Sequence, residues 1–468
     1  MDQIQASAPR VWAALADLCT AAGIAAKAAT ASGSDPVLPT PYRIGTAGAA
    51  VHLAVGLAAA DLSRLRGGAP QVVSVGVPAA VASLRANHYL TIDGTRPKPH
   101  GDRLSGFYRV KDGRSVYLHC NFPNLRDRAA AVLGVPAERA AMERACAEWD
   151  GEALETALHD GGACGSFTRT AAEWQAHPHY PFVAQMPVLE ITRIGDAPPE
   201  ALPPGDRPLA GIRALDLTRV IAGPACGRAL AEHGAEVLKV SRPDLPDSGI
   251  LDIDSGVGKL STYLDVRVPE QAEQLKALVR DGDVFLQSYR PGALASHGFG
   301  AEDLAAMRPG IVVATLSAWG HEGPWRNRRG YDTVVQSATG IADRTGGPGQ
   351  PAVLPVSALD YIAGNLLTLG IMAALARRAT EGGSWRVRVS LVTTQHWLVG
   401  LGLVDAAALE AVPPGLPADV TAPFMMSVAS TEGAVGYLGP VLAMSGTPLR
   451  ADRPPVRLGT HPPEWPTR

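Results

Sequence analysis

The sequence of 468 residues predicts an α/β fold, with a Rossmann-like parallel sheet in a large domain and a smaller α+β domain beside it. Beyond residue 208, short apolar runs typical of buried strands alternate with longer helix-like segments, which favours a parallel sheet. Before residue 200, Asp112-Gly113 precedes an alternating run that ends at Cys120, which indicates a β-hairpin instead. The two patterns predict different architectures in the two parts of the chain.

The large domain is predicted to begin with a strand within residues 209–221, whose apolar positions run into a turn at Ala222-Gly223-Pro224. A helix is expected from Ala225 to His233, where Gly234 ends it, and a second strand from Glu236 to Val240. Strand, turn, helix and strand make a βαβ unit. The N-terminus of its helix is suited to an anionic group.

The smaller domain is predicted from elements of a different kind. After the hairpin, a helix is expected to run to Leu133, with Gly134 as its stop. The proline-rich residues 197–208 then have the composition of a linker.

The chain also contains a diverged internal repeat. Residues 47–76 align without gaps with residues 363–392, and each copy contains an alanine- and leucine-rich helix, a glycine pair and an alternating strand. Two alanine-rich helices also resemble each other by composition alone, but composition does not explain the shared order of elements. Ile44 in the first copy occupies the position that Asp360 has in the second.

Composition excludes several functional classes. A net charge of −3 gives no reason to expect a nucleic-acid or membrane-surface partner. The five cysteines are scattered and lack a CxxC spacing, which argues against a metal site and a disulfide framework and fits a reducing compartment. No uninterrupted apolar run has the length of a membrane span, and the N-terminus lacks a basic start with an apolar segment. We therefore expect a soluble cytoplasmic protein.

Several short segments in the second half together carry a family resemblance. They are Leu215-Asp216-Leu217-Thr218, Gly234 to Val240, Gly258-Lys259, Tyr289-Arg290-Pro291-Gly292 and Tyr331-Asp332. In this order, from about residue 208 to 399, they resemble the family III CoA-transferases, which include the formyl-CoA and carnitine CoA-transferases and the alpha-methylacyl-CoA racemases. The resemblance implies that CoA moves between an acyl-CoA and a carboxylic acid through an aspartyl mixed-anhydride or thioester intermediate. It implies coenzyme A as substrate and no metal.

The resemblance places the nucleophilic carboxylate at Asp360, at the head of a helix that begins near Tyr361. A carboxylate that attacks an acyl-CoA forms a mixed anhydride, which the CoA thiolate reopens, so that one difficult step becomes two easier ones. Helix N-terminal amides stabilise such a group, but an aspartate at this position also commonly caps the helix. Because Ile44 stands at the corresponding position of the first copy, we expect one active carboxylate per chain.

The resemblance also assigns a set of residues to CoA binding. They are Val220, Ile221, Ala222, Arg242, Lys259, Ser288, Tyr289, Arg290, Leu316, Ser317, Ala318, Trp319 and Gly320. Arginine and lysine suit the phosphates of CoA, and Tyr289 offers a wall for adenine. The sequence departs from the family where Ser296 stands at a position that often carries arginine, and Ser241-Arg242 replaces Glu-Arg or Glu-Pro. The identity of the acids therefore does not carry over from the best-known members.

Two subunits interlock in this family, and the site lies between the large domain of one and the small domain of the other. We expect residues 1–96 to form a partial large-domain repeat, 97–195 a small α+β domain and 196–208 a linker. Residues 209–400 are expected to form the CoA-binding large domain, and residues 401–468 a tail that returns to it. The halves complement each other, which implies either a homodimer or a pseudo-dimer within one chain.

Two other functions remain open from the sequence. A racemase or isomerase needs a base at Tyr331 or His321, but a tyrosine with a pKa near 10 is a poor base, and His321 lies about ten residues before the family's position. The altered CoA-site residues and the divided architecture also fit a CoA-binding scaffold without catalytic activity.

Overall fold

The computed structural model describes residues 8–27, 29–98, 101–347 and 349–467. Its strands are β1 (Ala29–Ser32), β2 (Val73–Gly76), β3 (Thr91–Ile92), β4 (Gly106–Arg109), β5 (Ser115–Leu118), β6 (Gly165–Phe167), β7 (Glu190–Gly195), β8 (Arg213–Leu217), β9 (Glu236–Ser241), β10 (Lys259–Tyr263), β11 (Val284–Gln287), β12 (Val312–Ser317), β13 (Ser384–Ser390), β14 (Met425–Ser430), β15 (Gly433–Leu438) and β16 (Ala443–Met444). Its α-helices are α1 (Pro9–Ala22), α2 (Ile44–Leu65), α3 (Val77–Ser83), α4 (Pro123–Leu133), α5 (Arg139–Ala147), α6 (Gly151–Asp160), α7 (Ala171–Ala176), α8 (Tyr180–Gln185), α9 (Ala222–Glu232), α10 (Ile250–Gly256), α11 (Pro269–Arg280), α12 (Ala301–Met307), α13 (Asp332–Ala338), α14 (Ile341–Gly346), α15 (Ala358–Glu381), α16 (Leu391–Gly400), α17 (Ala406–Leu409) and α18 (Ala418–Thr421).

The main sheet of the described residues has seven strands in the order β10-β9-β8-β11-β12-β13-β7. The six strands from β8 to β13 pair in parallel, and β7 joins antiparallel to β13. Numbered from β8 along the chain, the parallel strands have the order 3-2-1-4-5-6 of the doubly wound Rossmann fold. The topological switch point lies between β8 and β11, where the chain leaves one side of the sheet for the other.

A second, smaller sheet is antiparallel and has the order β4-β5-β6. The turn at Asp112-Gly113 joins β4 to β5, and Gly113 adopts the positive φ of 80° that the turn requires. Helix α4 ends with Gly134 in the left-handed conformation, as the sequence predicts. Around this sheet lies an apolar core of its own, which includes Tyr108 and Met142. The predicted fold class, a Rossmann-like sheet with a smaller α+β unit, is confirmed.

The two long helices of the repeat, α2 and α15, pack against each other in the centre of the molecule. Each contains an 18-residue window apolar enough to cross a membrane by length and composition, but 83% and 100% of these windows are buried within the protein. Leu53 of α2 and Leu366 of α15 belong to one continuous apolar core. The apolar character of these helices is therefore accounted for by packing between the first and second halves of the chain.

Some boundaries differ from those that the sequence predicts. Helix α9 already begins at Ala222, so that Ala222-Gly223-Pro224 form its first turn and the connecting turn lies earlier, at residues 218–221. Pro224 is accommodated because the first amides of a helix have no partner within it. Strand β7 extends the large sheet, although its residues fall in the segment predicted for the small domain.

The C-terminal segment pairs with the first half as well as with the main sheet. Strand β15 adds to β3, and β16 adds to β2. Near the end of the chain, Arg213 of β8 donates through Nη2 to the Pro466 carbonyl oxygen at 2.7 Å. The tail thus joins the first and second halves.

Gly364 sets the distance between α15 and α9. A Cβ atom at this position would lie 2.4 Å from the Ala222 carbonyl oxygen, which is backbone and cannot rotate away. We expect Gly364→Ala to lower the free energy of unfolding by about 1–3 kcal/mol through overpacking, measured by urea denaturation. Gly400→Ala is the control, because no atom lies within 4 Å of its new Cβ. Equal stability of the two variants would contradict this role for Gly364.

Candidate functional site

A cavity of about 420 Å³ opens at the switch point, beyond the carboxyl ends of β8, β9, β11 and β12. This is the edge at which ligands bind in open α/β sheets. The residues that line it are Phe122, Asn124, Leu125, Arg219, Val220, Ile221, Ala222, Arg242, Ser288, Tyr289, Arg290, Pro291, Ala293, Leu316, Ser317, Ala318, Arg326, Arg328, Arg329, Gly330, Tyr331, Asp360 and Leu391. Eleven of the fourteen residues predicted for the site are therefore together: Asp360 and ten of those predicted for CoA binding.

The turn after β8 is shaped by the buried carboxylate of Asp216. One of its oxygens accepts hydrogen bonds from the Thr218 amide at 2.9 Å and the Thr218 hydroxyl at 2.5 Å. Its other oxygen accepts from Lys259 Nζ at 2.7 Å. Two residues on, Val220 adopts a φ of 74°, which is a strained conformation for a β-branched residue. The strained turn places Val220 in the cavity wall.

Lys259, which the family resemblance assigns to CoA binding, does not line this cavity. It is 2% exposed, and its ammonium group also donates to the Pro224 carbonyl oxygen at 2.8 Å. The interior position follows from the need to neutralise Asp216, because a buried charge is costly unless it is paired. Lys259 acts on the site through the turn that it helps to hold.

Trp319 and Gly320 also lie outside the residues that line the cavity. Trp319 is buried in an aromatic cluster with Trp174 and Trp325, at ring-centroid distances of 6.5 and 4.8 Å. Its backbone carbonyl oxygen lies 2.9 Å from His179 Nε2 and accepts a hydrogen bond in the tautomer that carries a proton on this nitrogen. Trp319 lies in this cluster because its large apolar ring gains more free energy from full burial than from a position in a hydrated cavity wall.

Asp360 lies in the first turn of α15 and is 9% exposed. The helix N-terminus is capped by another residue, because Asp332 Oδ2 accepts the Asp360 backbone amide at 3.1 Å. Gln336 Nε2 donates to the other oxygen of Asp332, and Gln336 Oε1 in turn accepts the Leu354 amide at 2.8 Å. Among the described residues no donor holds the Asp360 carboxylate. Of the two roles that the sequence leaves open for an aspartate here, capping belongs to Asp332.

The pKa values of both carboxyl groups are raised. Burial raises the pKa of Asp332 to about 6. Burial, and then the charge of Asp332, raise the pKa of Asp360 well above its ordinary value. Two neighbouring buried acids do not ionise together without a compensating charge, so a cationic environment is needed to ionise Asp360.

Such an environment is present, because arginines outnumber acids in the cavity wall. Among its described residues Asp360 is the only acid, whereas six are arginines: Arg219, Arg242, Arg290, Arg326, Arg328 and Arg329. Burial and the nearby charges of Arg290 and Arg128 lower the pKa of Arg329. Like charges held together in this way favour an anionic ligand that relieves their repulsion.

Four of these arginines are absent from the predicted set. Arg326, Arg328 and Arg329 form a basic run directly before Gly330-Tyr331-Asp332, a signal that the sequence offers. Arg219 lies directly before the predicted Val220. Phe122, Asn124 and Leu125 had no such signal, because they lie in the first half of the chain and reach the cavity only through tertiary packing.

Neither candidate base for a racemase is suited to that role. Burial raises the pKa of Tyr331 further above its ordinary value. Its ring also stacks on His119, with ring centroids 3.8 Å apart. His321 lies 3.2 Å from Glu190 and is not among the residues that line the cavity.

The raised pKa of Asp332 predicts a pH-dependent stability. The stability that this raised pKa contributes is fully present below the ordinary pKa of 3.8. It is lost as the pH rises through about 6, because the folded state binds the extra proton. Between pH 5 and pH 8, we expect the free energy of unfolding to fall less in Asp332→Asn than in the wild type. The difference between the two decreases should be on the order of 1 kcal/mol. Urea denaturation at the two pH values measures this. The exposed Asp419→Asn variant should follow the wild type, and parallel behaviour of all three proteins would count against the prediction.

Comparisons with known proteins indicate the family of this chain. A family model described as CoA-transferase family III matches residues 10–192 and 209–436. The acetyl-coenzyme A transferase nodX of Hypoxylon pulicicidum is 30% identical over 326 residues, covering 63% of this chain and 54% of that protein. The succinyl-CoA:glutarate CoA-transferase of Homo sapiens is 33% identical over 202 residues, covering 40% and 46%. The chain spans about half the length of these curated relatives.

Among solved structures, a hypothetical protein (Rv3272) from Mycobacterium tuberculosis is 32% identical. The match covers 42% of this chain and 58% of that one, with a TM-score of 0.39. The family model, by contrast, extends over both halves of the chain, on either side of the proline-rich segment. This chain belongs to CoA-transferase family III.

Proposed function

We propose that this protein transfers CoA between an acyl-CoA and a carboxylic acid, with Asp360 as the carboxylate that accepts the acyl group. The observation that carries the proposal is the position of Asp360, as the one acid among the described residues of an arginine-lined cavity at the switch point. Its carboxylate is not used to cap the helix, because Asp332 does this. The names of the relatives, acetyl-coenzyme A transferase and succinyl-CoA:glutarate CoA-transferase, support the same class of reaction.

The proposed reaction proceeds by alternating anhydrides and thioesters on Asp360. A carboxylate oxygen of Asp360 attacks the thioester carbonyl, the carbon–sulfur bond breaks, and the CoA thiolate leaves an aspartyl mixed anhydride. The thiolate then attacks the aspartyl carbonyl, which releases the donor acid and leaves an aspartyl-CoA thioester. The acceptor carboxylate displaces the thiolate to form a second anhydride, and the thiolate finally attacks the acceptor carbonyl. These steps give the new acyl-CoA and free Asp360.

The CoA portion is proposed to bind along the cavity wall formed by the turns after β8 and β11. The arginines Arg242, Arg290 and Arg329 are suited to its phosphates. Tyr289 is half-buried in the wall and offers a ring face to the adenine. The ten predicted residues that line the cavity thus remain proposed contacts, whereas Lys259, Trp319 and Gly320 are proposed to support them from behind.

We further infer that one chain builds one site from both of its halves. Phe122, Asn124 and Leu125 of the first half line the same cavity as Asp360 of the second half. Ile44, at the position equivalent to Asp360, begins α2 and is buried without an ionisable group. A pseudo-dimer within the chain, of which one half carries the nucleophile, explains this arrangement.

Asp360→Asn tests the nucleophile. Hydroxylamine added with an acyl-CoA converts an aspartyl anhydride or thioester to a hydroxamate, which intact-protein mass spectrometry detects. We expect the variant to form none and to lose transfer activity by at least about 10³-fold, because it removes the attacking group. CoA binding should be retained, as measured by calorimetry. Hydroxamate formation by Asp360→Asn at the rate of the Asp419→Asn control would overturn the proposal.

Arg329→Ala tests the anion site. We expect the Kd for CoA to rise by about 10-fold or more, because a charge-assisted contact to phosphate is lost. The salt dependence of Kd should weaken as well. Calorimetry at two salt concentrations measures both effects, with the exposed Arg144→Ala as the matched control. Thermal stability should not fall, since Arg329 lies among like charges. Unchanged CoA affinity would remove Arg329 from the site.

A further inference from the structure

We propose that a second cavity next to Asp360 receives the acyl group of the substrate and selects short, uncharged acyl groups. The inference rests on the proposed function and specifies its substrate class. The second cavity, of about 80 Å³, shares Val220 and Ile221 with the arginine-lined cavity. Asp360 lines the first cavity and the next residue, Tyr361, lines the second. In this proposal, the acyl carbon attacked by Asp360 lies at the boundary between the two.

The boundary is built by the strained turn. Val220 lines both cavities. Its φ of 74° is strained because the residue is not a glycine. Strained backbone persists where the surrounding structure holds it, and such residues concentrate at functional sites. Here the holding groups are Asp216 and Lys259, described above. The turn thus lies between the arginine-lined cavity, which is proposed for the CoA phosphates, and the second cavity.

The volume of the second cavity limits the length of the acyl group. An apolar cavity of about 150 Å³ admits benzene, which has six heavy atoms. A cavity of about 80 Å³ has about half of that volume and suits roughly three heavy atoms beyond the carbonyl carbon. This is the tail of a butyryl group.

The charges in the second cavity are already paired with one another. Arg228 donates through Nε to Glu232 Oε1 at 2.9 Å and through Nη1 to Asp254 Oδ1 at 3.0 Å. Its Nη2 donates to the Leu438 carbonyl oxygen at 2.5 Å. Burial lowers the pKa of His52, which also lines this cavity, to about 4, so its ring is neutral at pH 7. A second carboxylate on the acyl group meets two acids and one engaged arginine here, which disfavours dicarboxylic acyl groups.

The remaining wall is mainly apolar and comes from all parts of the chain. His52, Ser83 and Ala86 belong to the first half. The second half contributes, among others, Ala225, Ala229 and Leu251, and the tail contributes Leu438 to Val441. The pocket therefore forms only when the two halves and the tail come together, as they do in this chain.

The first experiment measures hydroxamate formation and kcat/KM with acetyl-, butyryl-, octanoyl- and succinyl-CoA. We expect butyryl-CoA to be preferred over octanoyl- and succinyl-CoA by about 10-fold or more, since even one misfitting methylene in a closed pocket costs that much. A preference for succinyl- or octanoyl-CoA would overturn the assignment.

Two variants then change the volume of the second cavity in opposite directions. Ala229→Leu fills it and should lower kcat/KM for butyryl-CoA by about 10-fold or more, with acetyl-CoA less affected. Leu251→Ala enlarges it and should shift the preference toward octanoyl-CoA. Ala272→Leu on α11, outside both cavities, is the control for an added side chain on a helix. Free CoA should bind all of the folded variants with the affinity of the wild type.

The outcomes separate this inference from the proposed function. If Asp360 is acylated but chain-length preference is the same in Ala229→Leu, Ala272→Leu and the wild type, the acyl pocket is wrong and the nucleophile stands. If no acyl-CoA acylates Asp360, both are wrong. Should Leu251→Ala fail to fold, Ala229→Leu alone decides, because filling a cavity requires no lost core contact.

Discussion

The site depends on one buried carboxylate, that of Asp216, which is 0% exposed. Although burial acts to raise its pKa, the nearby ammonium groups of Lys239 and Lys259 lower it, so Asp216 remains charged. The charged group orders the turn through Thr218 and places Val220 and Ile221 between the two cavities. Removing either partner of such a buried pair is costly because the other charge is left without compensation. A lysine in the interior thereby governs a cavity that it does not touch.

Asp332 and Asp360 have different roles at the start of α15. Asp332 accepts the amide at the start of α15, so the carboxylate of Asp360 faces the cavity without a protein donor among the described residues. Burial raises the pKa of both acids, and the charge of Asp332 raises that of Asp360 further. The surrounding arginines then supply the positive charge that an ionised carboxylate and an anionic ligand need together. Capping by Asp332 and the charge of the arginines are thus both consistent with the nucleophilic role proposed for Asp360.

The two halves of the chain contribute unequally to one site. The second half supplies the parallel sheet with its switch point, and the first half supplies β7, the helix α2 that packs on α15, and residues of both cavities. The close approach of Gly364 to Ala222 joins α15 to the start of α9, directly after the turn that follows β8. A change in the packing of the halves therefore moves Asp360 relative to the turn that separates the cavities.

Local patterns in the sequence were sufficient for the Rossmann-like sheet and the hairpin at Asp112-Gly113, because strand alternation and turn chemistry are properties of neighbouring residues. The predicted site residues came instead from the family resemblance, and most of them line one cavity. Lys259 and Trp319 show the limit of that resemblance, since it does not say whether a charge or a ring at a matching position meets a ligand or the core. The participation of Phe122 in the cavity, the capping by Asp332 and the second cavity were decided only by tertiary structure. Each depends on groups far apart in the chain that burial and close packing bring into contact.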